Sequence, residues 1–217
     1  MDHFDLDREI VFVATNYLDR CLATHVYKAC EKDNLQLLTM TCLYLAMKLY
    51  GRESITLPGS ASMMESLLYL AKSKFSLEQM KEMEYEVLHL LKWRCHPPTP
   101  QNFIHLYSQL FSKDETMLLD YAHYLAELSA LDYFFVSYKA SEIAIASLLC
   151  TVEVVAKEKP SRFDSLFPKV VSSSQDNRIF ECKDRLKSLF SESGEDFEYD
   201  LIQAAKECRI SSPVSVF

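Results

Sequence analysis

Lys48 closes the run Leu35 to Tyr50, LQLLTMTCLYLAMKLY, in which only Gln36, Thr39, Thr41 and Lys48 are plainly polar. An ammonium in so apolar a stretch needs a partner, because an unpaired buried charge is costly. Cys95-His96 is an adjacent pair of metal-ligand types, but two ligands do not make a tetrahedral site. Glu82, Glu84 and Glu86 are neighbours in sequence, yet helical spacing sends them to different faces. The seven cysteines (Cys21, Cys30, Cys42, Cys95, Cys150, Cys182 and Cys208) are odd in number and never spaced as CxxC. That argues against both disulfides and zinc. No nucleophile with a base, glycine-rich phosphate loop or HExxH pattern occurs. We expect no catalytic residue, no metal and no cofactor.

The elements that must position Lys48 are helices. The 217 residues are almost half hydrophobic and include only three glycines, with no alternating runs between turn signals. This pattern predicts an all-α chain with one large or two small cores. A net charge of −8 disfavours nucleic acid, which needs clustered Lys and Arg. The N-terminus lacks a signal-peptide pattern, and the apolar runs are too short to span a membrane, so an intracellular protein is expected.

Caps and periodicity predict a first helix over 8–23, capped by Asp7, with Ile10, Ala14, Tyr17, Leu18 and Cys21 on one face. The apolar run is the second helix, capped by Asp33 or Asn34 and closed by Gly51. Ser60 opens the third, which turns Met63, Met64, Leu67, Leu68 and Ala71 inward. A Ser76/Gln79 capping box starts the fourth, which runs to Leu91 and buries Met80, Met83, Val87, Leu88 and Leu91. Consecutive prolines at 97–98 make a linker, and Thr99 with Pro100 restarts the helical pattern. Further helices are expected over 100–111, 115–132, 138–157 and 177–191, with an apolar piece at 163–171 and a tail helix at 197–208. Tyr121, Tyr124, Tyr133 and Tyr138 are read as core and rim. Ala140 to Ala156, ASEIAIASLLCTVEVVA, repeats the apolar character of the second helix about a hundred positions later. The chain therefore reads as a duplicated helical module, each copy wound about its own central helix.

Several strings resemble the cyclin family. Asn16-Tyr17-Leu18-Asp19-Arg20 is similar to its N-Y-[IL]-D-R; Leu35-Gln36-Leu37 with Leu45-Ala46-Met47-Lys48 resembles L-Q-L…L-A-x-K. Met83-Glu84-Tyr85-Glu86-Val87-Leu88 resembles M-E-x-x-V-L, and Leu91 to Pro100 resembles the join between boxes in D-type cyclins. The resemblance implies two tandem cyclin boxes, over 1–96 and 97–210. The family's M-R-x-I-L helix has no counterpart, so the first box is expected to be partial. Asp19 then lacks that helix's Arg; the expectation is that a preceding segment carrying it is missing from this sequence, the alternative being that Arg8 or Arg20 takes over locally. The family's K-F-E-E is replaced by Lys48-Leu49-Tyr50-Gly51.

By this resemblance, Lys48 and Glu84 grip the C helix of a cyclin-dependent kinase. Opposite charges at an apolar edge can satisfy both the carbonyls and the amides of a docked helix end. Leu45, Leu49, Leu88, Trp93 and Cys95 match the family's apolar kinase contacts. Leu35, Gln36 and Leu70 match part of the groove that docks Arg-x-Leu motifs of substrate or inhibitor proteins. The implied function is that of a non-catalytic kinase activator in the cell cycle, in nucleus and cytoplasm. Its partner is the kinase in a heterodimer; nucleic acid and membrane are not partners. The rival readings are a cyclin-box transcription adaptor and a kinase-independent scaffold.

Overall fold

The computed structural model describes residues 9–24, 32–51, 62–72, 74–109, 116–158 and 177–192, all helical or connecting, with no strand among them. The chain divides into two compact units, Met1–Pro97 and Pro98–Phe217.

The first unit contains α1 (Glu9–Thr24), α2 (Lys32–Tyr50), α3 (Met63–Leu70) and α4 (Leu77–Leu90). Helix α2 packs against α1, α3 and α4, which places it at the centre. Its inward face holds Leu37, Leu38, Cys42, Leu45, Ala46 and Met47, meeting Ile10, Val13, Tyr17 and Cys21 of α1 and Met80 and Val87 of α4. Thr41 is fully buried, and its hydroxyl donates to the Leu37 carbonyl at 2.8 Å, so no polar group is stranded there.

Several helix ends fall where the sequence places them. Ser76 and Gln79 form a reciprocal capping box, and the Gly51 amide donates to the Met47 carbonyl at the end of α2. Two starts differ. Helix α2 begins at Lys32, so Asp33 and Asn34 sit inside its first turn instead of capping it. Helix α3 is capped by Ser62, whose hydroxyl accepts the Glu65 amide, and not opened by Ser60. Asp7, Arg8, residues 163–171 and residues 197–208 lie outside the described residues.

The second unit contains α5 (Pro100–Ser108), α6 (Thr116–Ser129), a 3₁₀ turn (Tyr133–Ser137), α7 (Ala140–Glu158) and α8 (Asn177–Glu192). Thr99 and Asn102 form a second capping box, with Pro100 at the first helical position, where its missing amide is harmless. Helix α7 packs against α5, α6 and α8 and is this unit's centre. Its Ser147 and Thr151 are fully buried and donate to carbonyls four residues back. Cys150 and Cys182 lie in this core as free thiols, and burial pushes both up to about 12. They are packing groups, not nucleophiles. Of the four tyrosines, Tyr133 is exposed and the other three are partly covered.

Candidate partner-binding site

The last turn of α2 and the middle of α4 bring Lys48 and Glu84 together: Lys48 Nζ donates to Glu84 Oε1 at 2.9 Å. The lysine side chain is 51% exposed and the glutamate 15%. The carboxylate is thus largely walled in and oriented, while the ammonium faces outward. This hydrogen bond leads in holding the Lys48 pKa above its ordinary value, against a smaller opposing effect of burial. The Tyr44 ring lies beneath the ammonium, 5.5 Å from its centroid. An exposed bridge adds little to folding, so its geometry matters more for what it can offer a partner. An ammonium has three protons, and a carboxylate has lone pairs beyond one bond.

Of the apolar positions matched by resemblance, Leu49 is 43% exposed and Trp93 64% exposed, whereas Leu88 packs partly on the core. Leu45 and Cys95 are different. They are 2% and 8% exposed and belong to the first unit's core, so they are corrected from ledge to interior. The reason is position along the helix: residues 45, 48 and 49 share a face, but Leu45 lies among the packed turns with Cys42 and Ala46, while Lys48 and Leu49 fall in the last turn, where the cover is thinner. Leu35 and Leu70 are 38% and 55% exposed, and Gln36 is exposed and accepts from Lys74 Nζ at 3.2 Å. This ties the start of α2 to the segment after α3.

Sequence reasoning missed three aromatics. Tyr44 supports Lys48. Tyr85 and His89 continue toward Trp93 along α4, with ring centroids 4.1 Å apart and then 5.8 Å apart. The spacing 85, 89, 93 is a visible i, i+4 stripe and was the available signal. Lys92 and Trp93 both turn left-handed, with φ of 51° and 59°. For non-glycine residues this conformation costs about 1–2 kcal/mol each.

Arg20 does not serve Asp19. Its guanidinium donates to the carbonyls of Leu91 at 3.0 Å and Arg94 at 2.9 Å. No side chain pairs with Asp19 among the described residues, and burial alone raises its pKa. Cys95 and His96 part company as well. Cys95 is in the core, while His96 Nδ1 meets the Tyr50 hydroxyl at 3.1 Å.

Two successive all-α repeats, each built on a central helix, define a cyclin-box protein. The family models for the N-terminal and C-terminal cyclin domains match residues 1–96 and 98–201. The chain belongs to the cyclin family. It is 30% identical over 195 residues to G1/S-specific cyclin-D2 of Xenopus laevis, covering 86% of this chain and 64% of the relative. It is 29% identical over 197 residues to cyclin-A1-2 of Arabidopsis thaliana, covering 86% and 42%. Human G1/S-specific cyclin-D1 is 28% identical over 196 residues, with 86% and 63% covered. The chain thus spans less than two thirds of the length of these relatives. A viral cyclin from herpesvirus saimiri shares the fold, with a TM-score of 0.57, 15% identity and 87% of each chain covered.

Proposed function

We propose that this chain is a regulatory, non-catalytic subunit that binds and activates a cyclin-dependent serine/threonine protein kinase and so controls cell-cycle progression. Membership of the cyclin family supports the kinase-regulating role. The Lys48–Glu84 bridge, with exposed Leu49 next to it in the chain and exposed Trp93 after the same helix α4 that carries Glu84, is the observation that carries the site assignment. The outward ammonium is suited to carbonyls at the end of the kinase's C helix, and the oriented carboxylate to its amides. Leu49, Leu88 and Trp93 supply the apolar part of the contact, the kind of residues that anchor interfaces.

A docked first unit would hold the C helix inward, so that its Glu meets the catalytic Lys and the activation loop orders. The energy comes from binding the active arrangement of the kinase more tightly than the inactive one. Leu35, Gln36 and Leu70 are proposed to receive substrate or inhibitor segments. The test is Lys48→Ala combined with Glu84→Ala. Helical circular dichroism should be unchanged, while kinase binding and stimulation are lost. Retained co-purification and stimulation would refute the site.

A further inference from the structure

Asn16, Tyr17 and Arg20 lie on α1 and take no part in the Lys48–Glu84 bridge. Tyr17 and Arg20 reach the segment that follows α4, and Asn16 meets Arg20. The Tyr17 hydroxyl donates to the Cys95 carbonyl at 2.5 Å. Arg20 donates to the carbonyls of Leu91 and Arg94, and Asn16 Oδ1 accepts from the same guanidinium at 3.4 Å. The held carbonyls bracket Lys92 and Trp93, the two consecutive residues in the left-handed region. The Leu91 carbonyl also accepts from the Arg94 amide at 3.0 Å, and the guanidinium fork adds a second hold there while reaching the Arg94 carbonyl at the same time. Trp93 is 64% exposed, so burial does little to fix its place. The His89 ring meets the indole edge-on at 5.8 Å, and the backbone beneath sets where the side chain starts.

We infer that Arg20, assisted by Tyr17, is a positioning residue that clamps the 91–95 turn and so presents Trp93 to the partner. The inference rests on the reading of this face as the kinase-binding face and deepens it. A turn fixed before binding spares the partner the cost of ordering it. Asn16 fixes the guanidinium, which gives the Asn-Tyr-x-x-Arg spacing a mechanical reason: positions 16, 17 and 20 share one side of α1.

Trp93 is the chain's only tryptophan, so its emission reports this turn alone. Arg20→Met should lower the steady-state anisotropy of Trp93 and increase its quenching by acrylamide. Arg20→Lys, which can keep one carbonyl, should fall between. Val13→Ala, which loosens the buried side of α1 without touching the turn, should leave the emission as in the wild type. Binding to a purified cyclin-dependent kinase should weaken about tenfold in Arg20→Met, as expected for losing a charge-assisted hydrogen bond. Wild-type anisotropy and quenching in Arg20→Met would overturn the clamp. So would a mobile Trp93 with undiminished kinase affinity. If the wild-type chain binds no kinase, the proposed function fails, while the Trp93 emission still decides the clamp. Should Arg20→Met not fold, Tyr17→Phe read in the same way decides it.

Discussion

The Tyr17 hydroxyl on α1 reaches the Cys95 carbonyl across 78 residues of sequence, and its ring is fully buried. Burial pushes the phenol's pKa upward, so it stays a neutral donor throughout the physiological range. Tyr17→Phe keeps the ring and removes the bond. Unfolding in urea should show a loss of about 1–3 kcal/mol, the cost of a buried acceptor deprived of its main donor. An unchanged midpoint would mean that the weaker Tyr50 contact to the same carbonyl, at 3.4 Å, suffices.

Asp19 is half-buried, and burial raises its pKa with no compensating cation among the described residues. A carboxyl with a raised folded pKa favours folding most when protonated. Its contribution is therefore greatest below the ordinary Asp value and lost as pH rises through the folded one. Asp19→Asn should raise the melting temperature at pH 7, with the gain shrinking as pH falls toward 4. A lower melting temperature at pH 7 would show that Asp19 has a stabilising partner beyond those among the described residues.

Glu142 behaves in the opposite sense. Arg178 Nε donates to its Oε1 at 3.1 Å and the Lys139 amide to its Oε2 at 2.7 Å. The Arg178 bond leads in holding its pKa below the ordinary Glu range. The stabilisation is present above the ordinary Glu pKa and is lost as pH falls through the lowered folded value. Glu142→Gln should destabilise the chain by about 1.5–3 kcal/mol at pH 7, with the difference narrowing in acid urea titrations.

Leu45 and Trp93 separate core from ledge. Leu45→Ala should cost about 2–5 kcal/mol in denaturation, because it opens a cavity at a site only 2% exposed. Trp93→Ala should change stability by no more than about 0.5 kcal/mol while weakening kinase binding by at least about tenfold. Equal stability losses in the two variants would show that Trp93 packs internally.

Much of this fold is legible in the sequence because apolar side chains at period 3.6 mark each helix, and Ser76, Thr99 and Pro100 mark starts by their capping chemistry. The two central helices stand out by composition. That same richness hides how far along α2 the cover extends: in a helix apolar nearly all round, Leu45 and Leu49 look alike until packed. The starts of α2 and α3 drifted because Asp33, Asn34, Ser60 and Ser62 all have capping side chains, and only the backbone decides which one caps. The Lys48–Glu84 pairing was readable through family strings, not through spacing. The Arg20 contacts were beyond reach, since backbone carbonyls 71 and 74 positions away carry no side-chain signature.

The most direct measurement is kinase affinity for the charge-swapped chain Lys48→Glu with Glu84→Lys, by calorimetric titration against a purified cyclin-dependent kinase. The swap can preserve an internal ion pair while reversing what is shown to the partner's carbonyls and amides. Wild-type chain should bind and stimulate the kinase, and the swapped chain should keep its helical circular dichroism yet bind at least about a hundredfold more weakly, two close charge-assisted contacts being lost. Wild-type affinity and stimulation in the swapped chain would contradict the account.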